Sequence, residues 1–133
     1  MAWFTKQEEK PGAGGLLGRE AEDLACRHLR DGGMAVVARN YRAGRVELDI
    51  VCTDGDAVVF VEVKARSSSG FGGAPAAISA TKRGRVGRAA RHYLTEKGLY
   101  GEVPCRFDVV LVDAGQRPYR ITHIPNAFAV EET

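Results

Sequence analysis

The stretch Val46-Glu47-Leu48-Asp49-Ile50-Val51-Cys52, then Thr53-Asp54-Gly55-Asp56, then Ala57-Val58-Val59-Phe60-Val61-Glu62-Val63-Lys64 decides the fold. Both runs are rich in β-branched residues, and Asp-Gly between two such runs is a strong hairpin signal. Side chains alternate along a strand, which puts Val46, Leu48 and Ile50 on one face and Glu47, Asp49 and Val51 on the other. On the second strand Val58, Phe60, Glu62 and Lys64 lie together. With Asp54-Gly55 as the two-residue loop, Cys52 pairs with Ala57, Asp49 with Phe60 and Glu47 with Glu62. In that register Glu47, Asp49, Glu62 and Lys64 leave the hairpin on one face, with Asp49 diagonal to Glu62.

Outward from the hairpin, Leu17, Ala21, Leu24, Ala25 and Leu29 follow a helical period from Leu16 to Arg30, and Gly32-Gly33 stops that helix. Met34–Tyr41 reads as a strand. Ser79 is a good N-cap for a second helix running to about Lys97 before Gly98, with Val86, Ala89, Ala90, Tyr93 and Leu94 as its apolar stripe. Arg106–Asp113 and Tyr119–Ile124 are two further strands. The expected fold is α/β, a mixed β-sheet with flanking helices in the order α-β-β-β-α-β-β. Residues 1–15, ending Pro11-Gly12-Ala13-Gly14-Gly15, are expected to be a flexible lead-in, and 16–130 a single domain. A chain of 133 residues buries enough surface to fold without disulfides or a structural metal.

The three cysteines, Cys26, Cys52 and Cys105, are widely spaced, which excludes a CxxC site and argues for a reducing compartment. No apolar run is long enough to span a membrane, and Met1–Gly15 carries acidic residues and no apolar leader core. The expectation is a cytoplasmic protein with no membrane partner. His28, His92 and His123 lack metal-ligand spacing. Gly70-Phe71-Gly72-Gly73 has no GK[ST] after it and is no phosphate-binding loop; it reads as a mobile loop beside the site.

Directly opposed carboxylates repel, and Lys64 supplies only one positive charge against Glu47, Asp49 and Glu62. A divalent cation resolves the deficit, and hard oxygen donors favour Mg²⁺ or Mn²⁺ over zinc. The competing reading is the solvent-facing side of an amphipathic hairpin, but Val58 and Phe60 share the acidic face, where unpaired charge is costly. Charge is also unevenly placed. The chain carries 19 Lys+Arg against 17 Asp+Glu, a net +2. Yet from Lys64 to Arg91 the seven charged residues (Lys64, Arg66, Lys82, Arg83, Arg85, Arg88, Arg91) are all basic. Such a block is the expected footprint of contacts to a phosphate backbone.

Asp49 followed by Glu62-Val63-Lys64 resembles the D…(D/E)-x-K signature of the PD-(D/E)XK nuclease superfamily. A longer set of segments, taken in order, resembles the bacterial YraN family over about Leu16–Phe128. The set runs through Gly18-x-Glu20-Ala21-Glu22, Arg39-Asn40-Tyr41-Arg42, Glu47-Leu48-Asp49-Ile50, Phe60-Val61-Glu62-Val63-Lys64-x-Arg66, Phe71-Gly72, Lys82, Arg106-Phe107-Asp108 and His123-Ile124…Asn126-Ala127-Phe128. That family is similar to archaeal Holliday-junction resolvases. The chain departs from the family pattern at Val46, where glycine is usual, and from the superfamily pattern at Leu48, where proline is usual.

The resemblance implies a restriction-endonuclease-like fold and a Mg²⁺- or Mn²⁺-dependent endodeoxyribonuclease acting on DNA, including branched or repair intermediates. It implies Asp49, Glu62 and the Val63 carbonyl as metal ligands and Lys64 as the residue that orients water or neutralises the phosphate. Glu20 becomes a further ligand through water, and Glu47 a partner of Lys64 or of the cation. Arg66, Lys82, Arg83, Arg85 and Arg88 are the expected DNA contacts, and a second copy of the chain is a further candidate partner. The alternative is a nucleic-acid-binding module that keeps the nuclease fold without turnover.

Overall fold

The computed structural model describes residues 13–66 and 78–130, with side chains from Gly18 onward in the first helix. The N-terminal segment up to residue 12 and the Ser67–Gly73 loop lie outside the described residues. Helix α1 spans Ala13–Asp31, β1 Ala35–Ala43, β2 Val46–Asp54, β3 Ala57–Arg66, α2 Ala80–Glu96, β4 Cys105–Asp113 and β5 Arg120–Phe128. The order is the expected α-β-β-β-α-β-β, in a restriction-endonuclease-like arrangement. Most boundaries fall within a residue or two of expectation, and two differ by more. Helix α1 begins within the glycine-rich lead-in, and β5 continues past Ile124 to Phe128.

The five strands lie in the spatial order β1-β2-β3-β4-β5. All neighbours are antiparallel except β3 and β4, which pair in parallel from Val58↔Cys105 to Arg66↔Asp113. A parallel pair needs a crossover, and α2 supplies it. Ser79 caps that helix by accepting the Lys82 backbone N–H at 3.1 Å.

Each helix packs on one face of the sheet. Val86, Ala89, Ala90, Tyr93 and Leu94 of α2 bury Leu48, Val51, Val58, Phe60, Val109 and Leu111. Ala21, Ala25, Cys26 and Leu29 of α1 bury Ile50, Cys52, Val59, Val61, Val63, Val110 and Val112. Because β3 is covered on both sides, its central run is apolar at nearly every position. Among the described residues no helix is long and apolar enough to cross a membrane.

The hairpin register differs from expectation by two residues. Asp54 pairs with Ala57, Cys52 with Val59 and Ile50 with Val61. The loop is therefore Gly55-Asp56, not Asp54-Gly55. Gly55 takes φ +63° at the first loop position, a conformation that glycine adopts without a Cβ penalty.

A second correction concerns the pleat of β2. Leu48 and Val51 pack on the α2 side while Ile50 and Cys52 pack on the α1 side, so Leu48 and Ile50 do not share a face. The phase slips at Asp49. On the neighbouring strand Arg39 pairs with Ile50 and Tyr41 with Leu48, and Asn40 between them has φ +51°. Arg39 and Asn40 both turn to α1, where they meet Asp23 and Glu22, while Tyr41 sets its ring edge-on to Tyr93 of α2 at 5.0 Å.

Candidate active site

The slip aims Asp49 sideways. Its Oδ2 accepts the backbone N–H of Val63 at 2.9 Å, a bond that a strand partner would otherwise supply. The β2–β3 pairing stops at Ile50↔Val61, and the Asp49 carboxylate takes over one residue further on. This places Asp49 against β3 beside Glu62. A strand residue's N–H and C=O point to the same side, so the Val63 carbonyl also faces β2.

Asp49 is 2% exposed and Glu62 1%, and both Glu62 carboxylate oxygens are buried from solvent. Burial of this depth rejects the reading of the acidic residues as a solvated hairpin face. Two like charges held out of water are costly, and a site that keeps them has a compensating cation or a chemical use. Lys64, two residues beyond Glu62 on the same row of β3, is half-buried. Desolvation, then the neighbouring Arg66, pushes its ammonium below the ordinary lysine range.

Among the described residues no group of three or more His, Cys, Asp or Glu side chains gathers to hold an ion. Two carboxylates with one backbone carbonyl are too few, and too hard, for a structural zinc site. They suit Mg²⁺ or Mn²⁺, since Mg²⁺ keeps several waters and is held by one or two carboxylates together with substrate phosphate.

Glu47 is half-buried at the start of β2 and pairs in register with Arg42. Glu20 is exposed, and its Oε1 accepts the Tyr119 hydroxyl at 3.2 Å, next to β5 and away from β2. The structure does not bring it to Asp49. Arg66, Lys82 and Arg83 are half-buried, and Arg85 and Arg88 are exposed. Arg83 and Arg88 line one groove together with Arg91, and Arg85 lies outside it.

Two features escaped the sequence reading. Glu22, not Glu20, is the buried glutamate of α1, at 8% exposure. It accepts Asn40 Nδ2 at 3.2 Å and lies 3.7 Å from the Arg39 guanidinium. The second is Asp108, fully buried on β4. Arg106 Nε and Nη2 donate to its two oxygens at 3.0 and 3.2 Å, His123 Nε2 lies 2.7 Å away, and the Asn126 N–H donates at 2.8 Å. Alternation on β4 did signal the Arg106–Asp108 pair. The His123 and Asn126 contacts depend on a register shift between Phe107 and Val109 that periodicity does not reveal. This hub sits where β4 begins, beside Asp54 of the hairpin turn, which also accepts from Arg106 at 3.1 Å. It pins the hairpin and β5 to β4, with Asp108 in register with Val61, the residue before Glu62.

The chain is similar in sequence to the proteins of one family over most of its length. Residues 21–112 match the model of the uncharacterised protein family UPF0102. The chain is 50% identical over 115 residues to a UPF0102 protein of Dechloromonas aromatica, covering 86% of this chain and 90% of that one. It is 49% identical over 113 residues to a UPF0102 protein of Pseudomonas aeruginosa, covering 84% and 90%. A UPF0102 protein of Colwellia psychrerythraea is 39% identical over 129 residues, covering 96% of this chain and 100% of its own.

Proposed function

The chain belongs to the family UPF0102, also called YraN, and from that premise we propose that it is a divalent-metal-dependent nuclease hydrolysing phosphodiester bonds in DNA. The observation that carries the reading is that Asp49 and Glu62 are both buried, with Asp49 bonded to the N–H of the residue after Glu62 and Lys64 two residues beyond Glu62. Structure alone has little use for two adjacent buried carboxylates and a desolvated ammonium.

Asp49, Glu62 and the Val63 carbonyl would hold Mg²⁺ or Mn²⁺, which supplies Lewis acidity to a water and to the scissile phosphate. The protein's own residues do the rest. The Val63 N–H fixes the Asp49 carboxylate in one orientation, so no rotamer search precedes binding. Lys64 places a positive charge where negative charge develops on the phosphate, and partial desolvation strengthens that attraction. The basic residues after Lys64 hold the backbone by charge rather than by base reading.

A second reading, a nucleic-acid-binding module without turnover, is favoured by one observation: no third metal-ligating side chain joins the pair among the described residues. A cleavage panel separates the two. Single-stranded, duplex, flap and four-way-junction DNA are incubated with Mn²⁺ and wild-type or Asp49→Asn protein. The nuclease reading expects cutting of at least one form by wild type alone. Binding without any cutting gives the module reading its place.

A further inference from the structure

On the face that α2 covers, the sheet is not closed to its β5 edge. Between α2 and the ends of β4 and β5 runs a groove of about 820 Å³. It shares no lining residue with the Asp49–Glu62 pair. One wall is the α2 flank with Arg83, Arg88 and Arg91; the other is sheet, with Phe107 and Phe128, whose rings stack at 5.3 Å. Among the described residues no carboxylate side chain lines it. Arg106 also reaches it but is already balanced by Asp108 and Asp54. Arg83, Arg88 and Arg91 set three further cations along the α2 flank.

At the groove's mouth Tyr100 is 39% exposed, one of the two large hydrophobic residues exposed on the described surface. The Arg91 guanidinium stands over its ring, 5.1 Å from the centroid. An aromatic ring backed by a guanidinium and flanked by further arginines is the arrangement that binds an unpaired base and its phosphates together. A duplex could use only the arginines, because its base faces are stacked against each other and cannot reach Tyr100.

We infer that this groove holds a single-stranded segment of DNA, one base stacked on Tyr100 and the backbone phosphates along Arg83, Arg88 and Arg91. The inference rests on the DNA-directed reading above and names the form of substrate: DNA with an unpaired stretch. The volume is that of a site for a small ligand or a few nucleotides, so the groove grips a short segment rather than a long strand.

Fluorescence anisotropy of the full chain in EDTA, where nothing is cut, tests it with labelled dT12 and a blunt 12-base-pair duplex. Wild type is expected to prefer dT12. Tyr100→Ala should weaken dT12 binding about tenfold, the size of one lost base stack, while duplex affinity stays within about twofold. Tyr100→Phe, which keeps the ring, should bind as wild type. Arg88→Gln should weaken both forms and flatten the salt dependence. Tyr100 is exposed on a loop, and circular dichroism checks that each variant folds. In Tyr100→Ala, equal losses for both DNA forms or an unchanged dT12 affinity would overturn the inference. So would displacement of dT12 by a glutamate-rich peptide as readily as by unlabelled dT12. Cleavage is not read, so the two claims fail separately. Ring-dependent dT12 binding by a chain that cuts nothing upholds the groove and sinks the nuclease reading. A cutting chain indifferent to Tyr100 does the reverse.

Discussion

Replacing Asp49 in two ways separates what its shape does from what its charge does. Oδ2 accepts a buried backbone N–H at 2.9 Å, and the side chain is 2% exposed. Asp49→Ala removes that acceptor and leaves the Val63 N–H buried, at a cost of about 1–3 kcal/mol. For a domain of this size about 1 kcal/mol moves the melting temperature by about 4 °C, so a fall of roughly 4–12 °C is expected. Asp49→Asn keeps an oxygen of the same shape in the same place and removes a buried charge beside Glu62. In EDTA it should melt within about 4 °C of wild type, or above it, because like-charge repulsion and desolvation are both relieved. The assay is thermal unfolding followed at 222 nm for the three proteins. If Asn melts as low as Ala, the charge is needed for folding and the pair is a structural feature. If Ala melts with wild type, the Asp49–Val63 bond does not order the site.

The Asp108 hub should be the most sensitive polar position other than the pair itself. Asp108→Asn is expected to cost about 2–3 kcal/mol in urea unfolding, since Arg106 and His123 lose a charged acceptor; an unchanged midpoint contradicts that. Of the three reduced thiols, Cys26 and Cys52 are buried and Cys105 is exposed, and burial pushes the Cys52 thiol up to about 12. A chromogenic disulfide reagent at about pH 8 should label one thiol quickly and the other two only on unfolding; three fast thiols contradict the packing of α1 on the sheet. Lys64 titrates below its ordinary range when folded, so between the folded and unfolded values the unfolded chain binds more protons and stability rises with pH. Lys64→Met should therefore stabilise the protein at neutral pH, with the advantage shrinking towards about pH 10; a constant difference in urea midpoints would refute this.

Much of this was legible because the signals are local. Ser79 and Gly98 bracket α2 as read, and the β-branched runs on either side of Gly55 are β2 and β3. The turn was harder, because Asp54-Gly55 and Gly55-Asp56 are both allowed two-residue loops and only strand packing chooses between them. The slip at Asp49 depends on a side chain bonding to a backbone fourteen residues away and on left-handed Asn40. Periodicity assumes an unbroken pleat and cannot see either. Glu20 and Glu22 sit on opposite flanks of one helix turn, and the contacts made by Asn40 and Tyr119 decide which is buried. Helix α1 starts among glycines, where propensity argues for coil.

Everything proposed about catalysis depends on Asp49 and Glu62 holding a divalent cation. Isothermal titration of Mn²⁺ into wild type, Asp49→Asn and Glu62→Gln reads that without reference to any DNA. Wild type should bind Mn²⁺ with a saturating heat and both amide variants should show none, with all three folded by circular dichroism. Mn²⁺ bound equally by all three proteins, or by none, would contradict the assignment of the pair as the metal site.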